Sequence, residues 1–138
     1  MEQLAVEIVG LCREYGECRV EVERMEEARR VKNALESVCA MARQRLDISD
    51  PALLLALLDA YEVTRDEGML QEVLDVVGRN LDRLAVSAES VKLLAYCYYY
   101  VEEEECAERA RRMLEELRKM GRGEEELADA ETILEELT

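Results

Sequence analysis

Apolar residues recur along this chain at intervals of three and four, the spacing of one face of a helix. Leu4, Ile8, Leu11 and Tyr15 form such a stripe, with Ala5 and Cys12 beside it. They predict an amphipathic helix over 1–15 that Gly16 ends. Residues 17–46 follow without Pro or Gly, and read either as one long helix or as two helices with a turn near Arg29–Asn33. Ser49-Asp50-Pro51 is the clearest boundary, because Ser or Asp caps a helix and Pro suits its first turn. The next helix, 52–64, is apolar on several faces and is expected to be the most buried. Arg65 to Gly68 turns the chain. A helix over 69–84 points Leu70, Val73, Leu74, Val77 and Leu81 inward. Ser87 caps a further helix carrying Leu94, Cys97 and Val101, and a partner helix carries Cys106, Ala110, Met113 and Leu117. Gly121 and Gly123 stop it, and 124–137 reads as a short closing helix.

The punctuation has a period. Pro51 to Ser87 is 36 residues, and so is Ser87 to Gly123. The apolar columns Val22/Leu58/Leu94/Ala130, Met25/Tyr61/Cys97/Ile133, Ala34/Leu70/Cys106, Val38/Leu74/Ala110 and Met41/Val77/Met113 follow it. A fixed period of this size marks stacked helical hairpins, each burying its face against its neighbours. The expected fold is therefore all-α, an antiparallel helical-hairpin array of about seven helices in a single domain. Its units are 17–49, 50–86 and 87–122, with capping helices 1–15 and 124–137. An irregular helical bundle is the alternative.

Leu57-Leu58-x-x-Tyr61 with Leu70, Leu74 and Val77 resembles the tetratricopeptide family, and Leu93-Leu94-x-x-Cys97 with Cys106, Ala110 and Met113 resembles it less closely. The likeness spans 17–137. The family's small glycine-like position is Leu in both units, and its signature Trp and Pro are missing. The resemblance implies a partner-binding concave groove on the first helices. At 100° per residue Tyr98 and Tyr99 share a side of their helix with Lys92 and Ala95. The same register adds Asp59, Glu62 and Val63. Tyr offers contact area with a polar tip, so these seven residues are the expected partner-binding set.

Composition narrows the functions. The 138 residues carry a net charge of −15, and residues 102–138 hold 14 acidic against 6 basic side chains. Such a field repels a phosphate backbone and attracts a basic protein surface, so nucleic acid is not an expected partner. The Glu102–Glu105 and Glu124–Glu126 runs also suit helix first turns, where the dipole favours acids. The longest apolar run, 52–58, is too short to cross a bilayer, and Glu2 and Glu7 interrupt any leader-like segment. Five irregularly spaced cysteines with no CxxC pair suggest no disulfide framework or zinc knuckle, and fit a reducing cytoplasm. Abundant charge and scarce Asn and Gln hint at a thermophilic source.

The chain has no His, which removes Ser–His and Cys–His catalysis and His-ligated metal. Glu72 with Asp75, and Glu23 with Glu26 or Glu27, are the candidate carboxylate pairs for a Mg²⁺-dependent nucleotide hydrolase. They lack the tandem acidic motif that such chemistry uses. Arg29-Arg30 and Arg109-Arg111-Arg112 have Glu at helical spacing and read as solvated ion pairs. The expectation is a non-enzymatic protein-interaction module or small subunit without a cofactor. The alternatives are that hydrolase, or a self-associating protein paired through 1–15.

Overall fold

The computed structural model describes residues 2–121 together with Ala128, Glu131, Thr132, Glu135 and Glu136. Among them it is all-helical, with six α-helices and no strand. They are α1 (Glu2–Cys18), α2 (Met25–Arg43), α3 (Pro51–Thr64), α4 (Glu67–Arg79), α5 (Ala88–Val101) and α6 (Glu104–Lys119). About seven helices were expected. The closing one, 124–137, lies outside the described residues apart from isolated positions. The chain divides into two compact units, 1–73 and 74–138, with the boundary inside α4.

In the first unit α1 packs on both α2 and α3, and α2 also packs on α3. Ile8, Leu35, Leu54 and Leu57 are fully enclosed. Gly16 does not end α1, which runs on to Cys18. A helical Gly costs about 1 kcal/mol. Here that cost is offset because the added turn carries Cys18, 0% exposed, into a cluster with Ala28 and Val31. The predicted unit boundary at 17 thus lies inside a helix. A turn and a single 3-10 turn over Val22–Arg24 follow, and α2 is one unbroken helix with no turn near Arg29–Asn33.

Four of the five apolar columns fail in this first stretch, Val38 alone being buried. Val22 is 84% exposed, Met25 60% and Met41 54%, and Ala34 is exposed as well. The inward face of α2 is instead Ala28, Val31, Leu35, Val38, Cys39 and Ala42. The helix lengths and the loop here differ from those of α3–α4 and α5–α6, so a shared offset cannot hold.

Helix α3 buries Leu53, Leu54, Ala56, Leu57, Leu58, Ala60 and Tyr61, as its all-round apolarity predicts. Helix α4 stops five residues short of the expected end, at Arg79, where Asn80 Nδ2 donates to the Val76 carbonyl at 2.7 Å. Leu70, Val73 and Val77 are buried, whereas Leu74 and Leu81 are half-buried.

In the second unit α5 and α6 form a hairpin. Leu94 and Cys97 of α5 are buried with Cys106, Ala110, Met113 and Leu117 of α6, while Val101 is exposed. Gly121 takes the left-handed conformation (φ 64°) just past the end of α6.

Over 50–119 the local features of α3–α4 and α5–α6 correspond at a step of 37 residues rather than the expected 36. Asp50 caps α3 and Ser87 caps α5, each accepting from the backbone N–H three residues on. The expected period paired Pro51, the first helical residue, with a cap and so lost one position. Matched cap to cap, both helices have 14 residues. Both end on a left-handed residue, Arg65 (φ 56°) and Glu102 (φ 52°). In both, a Tyr four residues before that end bonds the first residue of the next helix: Tyr61 to Glu67 at 2.6 Å, and Tyr98 to Glu104 at 3.2 Å. Burial agrees too, with Leu53/Ser90, Leu54/Val91, Leu57/Leu94, Ala60/Cys97, Met69/Cys106 and Val73/Ala110 buried in both members of each pair.

Those two left-handed ends strain a side chain that glycine lacks, by about 1 kcal/mol. Glu102→Gly is therefore expected to raise stability by about that amount in urea unfolding. Arg65→Gly gains less, because Arg65 also lies 5.7 Å from the Tyr61 ring centroid and 3.5 Å from Glu62.

Candidate binding surfaces

The C-terminal end of α5 gathers most of the aromatic surface. Its polar end is fixed first. The Tyr98 phenol donates to Glu104 Oε1, and that carboxylate holds the phenol above its ordinary pKa, so it stays a donor at neutral pH. Tyr99 is 58% exposed and meets Tyr100 edge to face, with ring centroids 5.1 Å apart. Glu102, Glu103, Glu104 and Glu105 follow directly, all exposed. Glu102 and Glu103 make the tight turn, and Glu104 and Glu105 occupy the first turn of α6, where the dipole favours them.

The seven expected site residues fare unevenly. Tyr99 is exposed, and Lys92 and Tyr98 are half-buried. Ala95 is 0% exposed and belongs to the core, so it lines no groove. The 37-residue step pairs Ala95 with Leu58, which is 2% exposed. Asp59 and Glu62 are exposed and Val63 is half-buried, but they stand in the first unit and the tyrosines in the second. In the corrected register those three match Tyr96, Tyr99 and Tyr100. The outward row of α5 is therefore Lys92, Tyr96, Tyr99 and Tyr100. Tyr96 and Tyr100 belong to the same tyrosine cluster in the sequence but fall outside the expected face, which takes the neighbouring side of the helix.

In each set of acids weighed for metal, one carboxylate is held by an arginine. Both oxygens of Glu72 accept from Arg43, at 2.9 and 2.7 Å, and both oxygens of Glu27 accept from Arg24, at 2.9 and 3.0 Å. Among the described residues no group of three or more Cys, Asp or Glu converges to hold a metal ion. The cysteines are free, and four of the five are buried. Burial, with Asp59 adding to it, pushes the Cys12 thiol up to about 11. Burial pushes Cys39 up to about 12 and raises Cys18, Cys97 and Cys106 as well. Protonated thiols are poor nucleophiles and poor metal ligands at neutral pH.

Arg43 also donates to Asp66 Oδ2 at 2.8 Å, so one guanidinium ties the end of α2 to the start of α4. Its hydrogen bonds hold the Glu72 carboxyl below its usual pKa. A depressed carboxylate stabilises the fold above its unfolded pKa, and that contribution is lost as pH falls through the lower folded value. Acid titration should therefore remove stability below about pH 4.5, the ordinary carboxylate value. Arg43→Met is expected to flatten that part of the stability–pH curve; an unchanged slope contradicts this role.

No protein-family model, characterised protein or solved structure matches this chain. No helix among the described residues is long and apolar enough to cross a membrane.

Proposed function

We propose that this chain is a non-enzymatic protein-interaction module, built as a small tetratricopeptide-like array of helical hairpins. It takes a basic segment of another protein at the end of α5. The observation that carries this reading is an exposed Tyr99 seated edge-on against Tyr100 beside four exposed glutamates. Tyrosines at interfaces combine area with a polar tip, and their faces attract Lys and Arg side chains. Carboxylates alongside steer a basic partner into place. The matching caps, left-handed ends and Tyr–Glu bonds at α3–α4 and α5–α6 support the array, and five free thiols support a reducing, cytoplasmic setting.

The test is affinity capture from the source cell's lysate at low and moderate salt, with reconstitution from purified components. A stoichiometric partner retained at moderate salt supports the aromatic surface. A partner lost there shows that charge alone holds it. No reconstituted partner at either salt removes the reading.

Self-association is a second reading with its own observation. Val6 is 71% exposed and Val9 38% exposed on the outer side of α1. Light scattering that shows a strict monomer at high concentration removes it.

A further inference from the structure

The first unit contains a pocket of about 350 Å³, at the lower end of the range for small-ligand clefts. Apolar Cys39, Ala40 and Met69 contribute to its lining, Cys39 and Met69 nearly buried and Ala40 exposed. Its rim is polar, formed by Glu36 of α2, Thr64 at the end of α3 and Asp66 in the turn that follows. Arg43 closes one side.

The chemistry of the rim decides what fits. Among the described residues Arg43 is the one cation lining the pocket, and it spends three of its N–H groups on Asp66 and Glu72. Two carboxylates neutralise one guanidinium, and Glu36 adds a further negative charge. An anion therefore finds no unspent charge here. Acceptors remain: the Glu36 carboxylate, the second lone pair of the Thr64 hydroxyl, which already accepts from the Asp66 N–H at 3.4 Å, and the second lone pairs of Asp66. The ligand must donate hydrogen bonds, carry positive charge and bring an apolar stem for Cys39 and Met69.

We propose that this pocket binds an alkylammonium group, the chemistry shared by a lysine side chain and a polyamine. At Asp66, Arg43 takes Oδ2 and the Met69 N–H takes Oδ1 at 3.1 Å, so no open two-oxygen edge is left there for a guanidinium. A compact ammonium points its separate donors at acceptors from different elements. Gly68 helps hold this shape: a Cβ there would stand 3.3 Å from Asp66 Oδ1 and 3.4 Å from Arg43 Nη2. The proposal goes beyond the α5 surface and does not rest on it.

The experiment is a methyl NMR titration of the full chain labelled at Met and Ala. The probes are Nα-acetyl-lysine amide, its Nε-acetylated counterpart and spermidine. Saturable shifts of the Met69 and Ala40 methyls are expected with an amine and none with the acetylated form. Glu36→Gln, a change at an exposed side chain that leaves the core intact, should weaken binding about tenfold. Saturation by the lysine amide alone identifies a partner's side chain, by spermidine alone a free polyamine, and by both the shared group. No saturable shift at Met69, equal shifts from the acetylated probe, or full affinity in Glu36→Gln overturns the proposal. Tyr99→Ala should leave these shifts unchanged, which separates this site from the α5 surface.

Discussion

Leu94→Ala lowers the unfolding free energy by about 2–5 kcal/mol, a large share of the roughly 5–15 kcal/mol that holds a domain of this size. Leu94 is 0% exposed in the second unit, on the inner side of α5. Truncation removes its transfer free energy and leaves a cavity that the surrounding helices only partly close. Leu57 is its counterpart in the 37-residue step and is also 0% exposed. Leu57→Ala is expected to cost a similar amount. Two equal, large losses in urea unfolding are the signature of equivalent core positions. A loss under about 1 kcal/mol at either site, well below the usual range for a buried leucine, contradicts the equivalence.

Tyr99→Ala is expected to weaken the partner complex by about 2 kcal/mol or more, roughly 30-fold, with no change in thermal stability. The side chain is 58% exposed, so its removal opens no core cavity, and its ring meets that of Tyr100 edge to face. Tyr98 is a poorer choice for this test. Its phenol is tied to Glu104, so Tyr98→Ala also loosens the α5–α6 turn. Calorimetry of the reconstituted complex, paired with a thermal melt of each variant, separates the two effects. Unchanged affinity in Tyr99→Ala removes the aromatic surface from the account.

Local signals in the chain were strong where a single residue type forces a single conformation. Asp50-Pro51 and Ser87 mark helix starts because a capping oxygen and a missing N–H leave few alternatives. Gly121 marks the end of α6 for the same kind of reason. Gly16 misled, because burying Cys18 outweighs a local preference of about 1 kcal/mol. The left-handed ends at Arg65 and Glu102 carry no glycine and so give no warning in the sequence. The Tyr face was legible in kind but shifted by one position. A one-residue error rotates a helix by 100°, which moved Ala95 from the core to the expected groove and left out Tyr96 and Tyr100. The pocket beside Arg43 had no signal at all. Glu36, Arg43 and Asp66 come together only through tertiary packing, and their spacing in the chain follows no motif.

The most direct test of the proposed function is backbone NMR of the full chain as its captured partner is added. The account predicts the largest shifts over 96–105, where Tyr96, Tyr99, Tyr100 and the four glutamates lie. Shifts confined to other helices would contradict it.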